Sequence, residues 1–156
     1  MKITVSRETF LERLGIAARA ASSRSAIQTL SGVLLRCADG KAELQATDTE
    51  LGIRATVDAT VEQDGDVVVP GRLLLDIVRS LPKDSVTLEY RADEQDVEVK
   101  SGSATFRLRT LPLEDFPKHP DPTAPSSVSV PAAPFIKTVD RVARSASRDE
   151  TRPHLT

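Results

Sequence analysis

Few residues in this 156-residue chain are equipped for bond-making chemistry, and their spacing argues against it. Thr47-Asp48-Thr49-Glu50 sets two carboxylates two positions apart, a pair able to hold a divalent cation or activate water. On that reading the protein is a carboxylate-based hydrolase with a metal requirement. No third ligand or base accompanies the pair, however, and D-x-E at a strand end more often accepts backbone N–H groups in a turn. His119 and His154 are the only histidines, too few for a His-based triad or a His/Cys zinc site. The single cysteine, Cys37, excludes an internal disulfide and fits a reducing compartment. No catalytic residue, metal or cofactor is expected.

Charge is the more informative resource. The net charge is −2, so any affinity for nucleic acid must come from segregation of cations rather than their excess. Arg72, Asp76 and Arg79 follow one another at i, i+4 and i+7. Lys137, Arg141, Arg144 and Arg148 stand at i, i+4, i+7 and i+11, opposite an apolar stripe. A stripe of this kind is either a solvated face or a helix face presented to a phosphate backbone. Aromatic residues make up 3% and tryptophan is absent, which leaves little with which to stack the bases of a single strand.

The elements that carry these residues are legible from periodicity. Residues 2–5 (KITV) read as a strand, and Ser6 can cap a helix running to about Ala21. Its apolar positions, Phe10, Leu11, Leu14, Ala17, Ala18 and Ala21, fall on one face. From Ser31 the period becomes two. A hairpin turns at Asp39-Gly40, a further arm alternates through Ile53, Ala55 and Val57, and Asp64-Gly65 leads into VVVP. GRLLLDIVRSLP reads as a second helix with Leu74, Val78 and Leu81 inward, widened by Leu73 and Ile77. SVTLEY, QDVEVK and ATFRLRT complete a coarse order β-α-β-β-β-α-β-β-β, an α+β class with antiparallel hairpins. The N-terminal MKITVSRETF lacks the apolar core of a signal peptide, and no run reaches membrane-spanning length, so a cytoplasmic location is expected.

Residues 112–125 hold five of the ten prolines, the composition of a stiff linker. The expected organisation is a first domain over 1–119, a linker over 120–127 and the start of a second domain over 128–156. Sliding the chain on itself by 125 positions places residues 130–156 on 5–31 without a gap. Val130 meets Val5, Phe135 meets Phe10, Ala143-Arg144 meets Ala18-Arg19, and Leu155 meets Leu30. The chain is therefore expected to be a fragment of a tandem-domain protein, stopping where the second copy would begin its first hairpin.

KITVSRETFLERL, ATDTEL, VPGRLLLDIVRSLP and SGSATFRLRTLPLEDFP, in that order, resemble the bacterial DNA sliding clamps, the beta subunit of DNA polymerase III. The resemblance implies three similar domains per chain and two chains closed head to tail into a ring. Each domain would turn two helices toward the hole and antiparallel sheets outward. It implies a non-enzymatic processivity factor that holds duplex DNA without reading sequence and tethers the replicative polymerase. The clamp loader and repair polymerases would be further partners through short peptide motifs. By the same resemblance, Arg24, Arg72, Arg79, Arg148, Asp149 and His154 are the expected DNA contacts. Phe106 and Leu108 are the expected anchors of the homodimer interface, and Arg152 and Leu155 part of the peptide cleft. Pro153 and His154 stand where some members carry aromatic residues, and Ser103 and Thr105 where some carry basic ones. The structural rival is a stand-alone α+β interaction domain with no ring and no role on DNA.

Overall fold

A computed structural model describes residues 1–21, 27–82, 84–118, 127–147 and 151. It divides into two compact units, Met1–His119 and Pro120–Thr156. The first begins with β1 (Lys2–Ser6) and α1 (Arg7–Ala17), followed by a short 3-10 turn over Gln28–Ser31. Four strands come next: β2 (Gly32–Ala38), β3 (Lys41–Thr47), β4 (Gly52–Gln63) and β5 (Gly65–Pro70). Then come α2 (Gly71–Ser80), β6 (Ser85–Arg91), β7 (Asp96–Ser101) and β8 (Ala104–Arg109). The second unit contributes α3 (Ala132–Ala143).

VVVP is thus a full strand, making four between the first two helices rather than the three in the expected order. α1 stops at Ala17 rather than near Ala21, its last residues continuing as irregular turns. Ser6 occupies the cap position but makes no side-chain capping bond. The first turn is tied down instead by the Arg7 amide, which donates to the Asp84 carbonyl at 2.7 Å.

The eight strands form one antiparallel sheet in the order β5-β2-β3-β4-β1-β6-β7-β8. β4, twelve residues long, joins its halves: Gly52–Asp58 pair with β3, and Ala59–Gln63 pair with β1. The β2–β3 hairpin turns at Asp39-Gly40, both with positive φ (52° and 73°), the geometry that favours an Asp-Gly pair in a two-residue loop. After β8 the chain returns to the far edge, where the Leu111 amide donates to the Val68 carbonyl at 2.8 Å.

Alternation along the strands separates two apolar layers. Val33, Leu35, Val67 and Val69 join Phe10, Leu14, Leu74 and Val78 in the main core under both helices. Leu34 and Val68 point to the other face, where Phe116 and Leu111 cover them. At roughly 1.5–3 kcal/mol for each fully buried large apolar side chain, the main core is what holds α1 and α2 to the sheet. The helices run antiparallel: Arg7 Nε at the start of α1 donates to the Leu81 carbonyl just beyond α2, at 3.1 Å. At the other end α2 begins close to β2, since a Cβ added at Gly71 would stand 2.7 Å from Val33 Cγ2. Leu73, expected to widen the inward stripe of α2, is exposed; Leu74, Ile77 and Val78 already fill that face.

α3 begins 125 positions after α1, at Ala132 against Arg7, so the repeat holds the same helical register. Burial differs sharply: Phe10 is 0% exposed and its counterpart Phe135 55%. No residue of α3 is buried. Among the described residues no helix is long and apolar enough to cross a membrane.

Candidate nucleic-acid interface

The sheet leaves α1 and α2 side by side with their outward faces in solvent. Arg72 is in the first turn of α2 and Arg79 in the last, both exposed. Arg79 Nη1 pairs with Asp76 Oδ1 at 3.3 Å, an exposed i,i+3 contact contributing little to stability. Arg72 makes neither an ion pair nor a side-chain hydrogen bond among the described residues. Between the end of α1 and the start of α2 lies a cleft of about 330 Å³, lined by Gly15, Ala18, Arg19, Ala21, Ser31, Arg72 and Leu75. Arg24, Arg148, Asp149, His154, Arg152 and Leu155 lie outside the described residues. On α3, Lys137 and Arg141 are exposed, and Arg144 follows at its C-terminal cap, also exposed.

The opposite face of the sheet is differently charged. Lys2 Nζ meets Glu62 at 3.0 Å, and Arg36 Nε meets Asp66 at 3.0 Å. Arg91 grips Asp96 through Nε at 2.8 Å and Nη2 at 2.6 Å. Glu98 is shared by Lys100 and, at 3.8 Å, Arg107. Cations and carboxylates there neutralise one another, mostly across neighbouring strands, so this face is laced with ion pairs.

The Thr47-Asp48-Glu50 segment is a turn. Asp48 Oδ1 accepts the amides of Glu50 and Leu51 at 3.0 and 2.7 Å, and Thr47 Oγ1 accepts that of Thr49 at 3.0 Å. The Leu51 amide is the main reason the Asp48 carboxyl lies below the usual carboxylate range. Among the described residues no group of His, Cys, Asp or Glu side chains is placed to hold a metal ion.

At the sheet edge formed by β8, Phe106 and Leu108 share the helix-side face but have different environments. Leu108 is 1% exposed and belongs to the main core, whereas Phe106 is 37% exposed. Leu108 thus packs into the core of this unit, while more than a third of Phe106 is open to solvent. Sequence reasoning also passed over Arg19. Helical spacing puts it away from the apolar stripe of α1, and only the approach of α2 brings it to the same cleft as Arg72.

The family model described as DNA polymerase III beta subunit, N-terminal domain, matches residues 1–120. The chain belongs to the DNA polymerase III beta subunit family. The beta sliding clamp of Streptomyces coelicolor is 40% identical over 156 residues, all of this chain and 41% of the relative. That of Micrococcus luteus is also 40% identical, again over all of this chain and 49% of the relative. The chain therefore spans less than half the length of these clamps. Among solved structures, Caulobacter crescentus pol III beta superposes with a TM-score of 0.93 at 29% identity, covering 99% of this chain and 42% of that one. A Bartonella birtlesii sliding clamp bound to griselimycin gives 0.89 at 33% identity, covering 97% and 41%. The α+β arrangement described above is the DNA clamp fold.

Proposed function

We propose that this chain serves in a processivity clamp, a ring that encircles duplex DNA and tethers a replicative polymerase without catalysis of its own. The observation that carries this reading is the pair α1 and α2, packed side by side on one face of a clamp-fold sheet, with the exposed Arg72 on their outer surface free of any ion pair among the described residues. A ring holds DNA by topology, so its contacts need only be weak, directed at phosphates and indifferent to sequence. Arg72 and Arg79 supply such contacts from α2, and Arg24, Arg148, Asp149 and His154 are the further DNA contacts of this reading. Residues 128–156 begin a second clamp domain after the linker over 120–127.

Ring closure as a homodimer uses the edge of β8. Its unpaired backbone groups offer a template for a strand of another chain, and Phe106 adds an apolar contact. The polymerase, the clamp loader and repair polymerases dock by short peptide motifs, with Arg152 and Leu155 contributing to the cleft. Clamps of Bartonella birtlesii and Pseudomonas aeruginosa solved with griselimycin support a ligand site on proteins of this family. The work of such a clamp is cytoplasmic.

Anisotropy titrations of the chain with two duplexes of unrelated sequence test the DNA reading. Equal affinities that fall linearly on a log–log plot against salt are expected, with Arg72→Glu weakening both equally. Affinity that follows base sequence, or is untouched by charge reversal at Arg72, contradicts it.

A further inference from the structure

The cleft between α1 and α2 contains a feature that the general picture of a loosely cationic helix face does not require. Arg19, just beyond the end of α1, and Arg72, in the first turn of α2, line one cleft, and among the described residues no Asp or Glu lines it with them. Neither side chain has an ion pair or hydrogen bond among the described residues. Arg79, by contrast, is already occupied by Asp76. Two like charges sharing a cleft without a counter-charge are mutually unfavourable until an anion joins them.

The walls explain how the two arginines come together. Gly15, Ala18 and Ala21 put almost no side-chain bulk between the helices. A Cβ added at Gly15 would meet Leu75 Cδ1 at 4.0 Å, and one at Gly71 would meet the Ala21 Cβ at 3.7 Å. The cleft, about 330 Å³, has room for a group of phosphate size, and guanidinium is the side chain best matched to phosphate oxygens, which it can engage with two parallel N–H donors.

We infer that Arg19 and Arg72 together hold one backbone phosphate of duplex DNA in this cleft, making Arg19 a DNA contact in its own right. The inference rests on the proposal that this face meets DNA, and it adds a single shared phosphate subsite with a defined pair of ligands. One phosphate neutralised contributes about 0.9 to the slope of log affinity against log salt. The number of phosphates lost when arginines are removed can therefore be counted.

The test is the salt dependence of duplex binding by the full chain and by Arg19→Ala, Arg72→Ala, the double variant and Arg19→Lys. Both arginines are exposed, and unchanged thermal melting would confirm that each variant is folded. If the phosphate is shared, each alanine variant binds more weakly with a nearly unchanged slope, because the remaining guanidinium still neutralises it. The double variant then loses about 0.9 of slope. Arg19→Lys should recover part of the affinity without the paired-donor geometry. If Arg19→Ala binds as the parent does while Arg72→Ala is weakened, the inference fails and the DNA reading survives. Two separate phosphates would appear as a loss of about 0.9 in each single variant and about 1.8 in the double, which also overturns the shared site. If the parent chain shows no salt-dependent binding, the DNA reading itself fails, and the subsite with it.

Discussion

Asp96 and Glu98, on the outer face of β7, have carboxyls below the usual carboxylate range. For Asp96 the chief cause is the two-pronged hydrogen bond from Arg91, and for Glu98 it is the bond from Lys100. The unfolded chain therefore takes up protons at a higher pH than the folded one. Stability from these pairs is present above the ordinary carboxylate pKa and lost as pH falls through the depressed folded values. Asp96→Asn should accordingly lower the melting temperature near neutrality, and the gap from the parent should close in acid; a gap independent of pH would contradict the pairing. Cys37 behaves in the opposite sense. Burial, first of all, pushes its thiol up to about 12. It stays protonated in the fold while the unfolded thiol ionises near its ordinary value, so its contribution to stability declines as pH rises from that value toward 12. A thiol reagent at neutral pH should leave Cys37 unmodified in the folded protein and label it on denaturation. Rapid labelling of the native chain would show that the main core is open there.

At the scale of elements, Leu108 and Phe106 separate packing from association. Leu108→Ala removes a fully buried side chain and should cost roughly 2–5 kcal/mol in urea unfolding. Phe106→Ala should cost distinctly less in the same assay, since more than a third of that side chain is already in water. Equal costs would place Phe106 in the core after all. The alternation of ATFRLRT told which residues share a face, but not how deeply each is covered, because that depends on the helices packed above the strand. The same distinction runs through the fold. The Asp39-Gly40 hairpin was readable because its demand for positive φ is local, and the inward positions Leu74 and Val78 because their spacing is helical. That β4 serves two partners along its length was not readable, since alternation marks a strand without naming its neighbours. Arg72 stood out at the start of a predicted helix, whereas Arg19 becomes part of a site only when α2 folds back alongside α1.

For the molecule as a whole, α1 and α3 are the informative comparison. α1 and α3 share a register offset of 125, yet the apolar stripe of α1 is covered by strands while Phe135, Ile136, Val139 and Val142 of α3 are exposed. An isolated helix of twelve residues is marginal in water. Amide exchange in α3 should therefore be much faster than in α1 and α2 when the 156-residue chain is studied alone, and equal protection would mean that something covers the stripe. The central claim, that this chain works as part of a ring on DNA, is tested most directly by grafting. Residues 1–119 would replace the matching domain of the Streptomyces coelicolor clamp, and the chimera would be assembled on nicked circular duplex with its clamp loader. The account predicts that the chimera stays on circular DNA through gel filtration and is lost once the circle is cut. Equal retention on circular and linear DNA, or none on either while the parent clamp is retained, would contradict it.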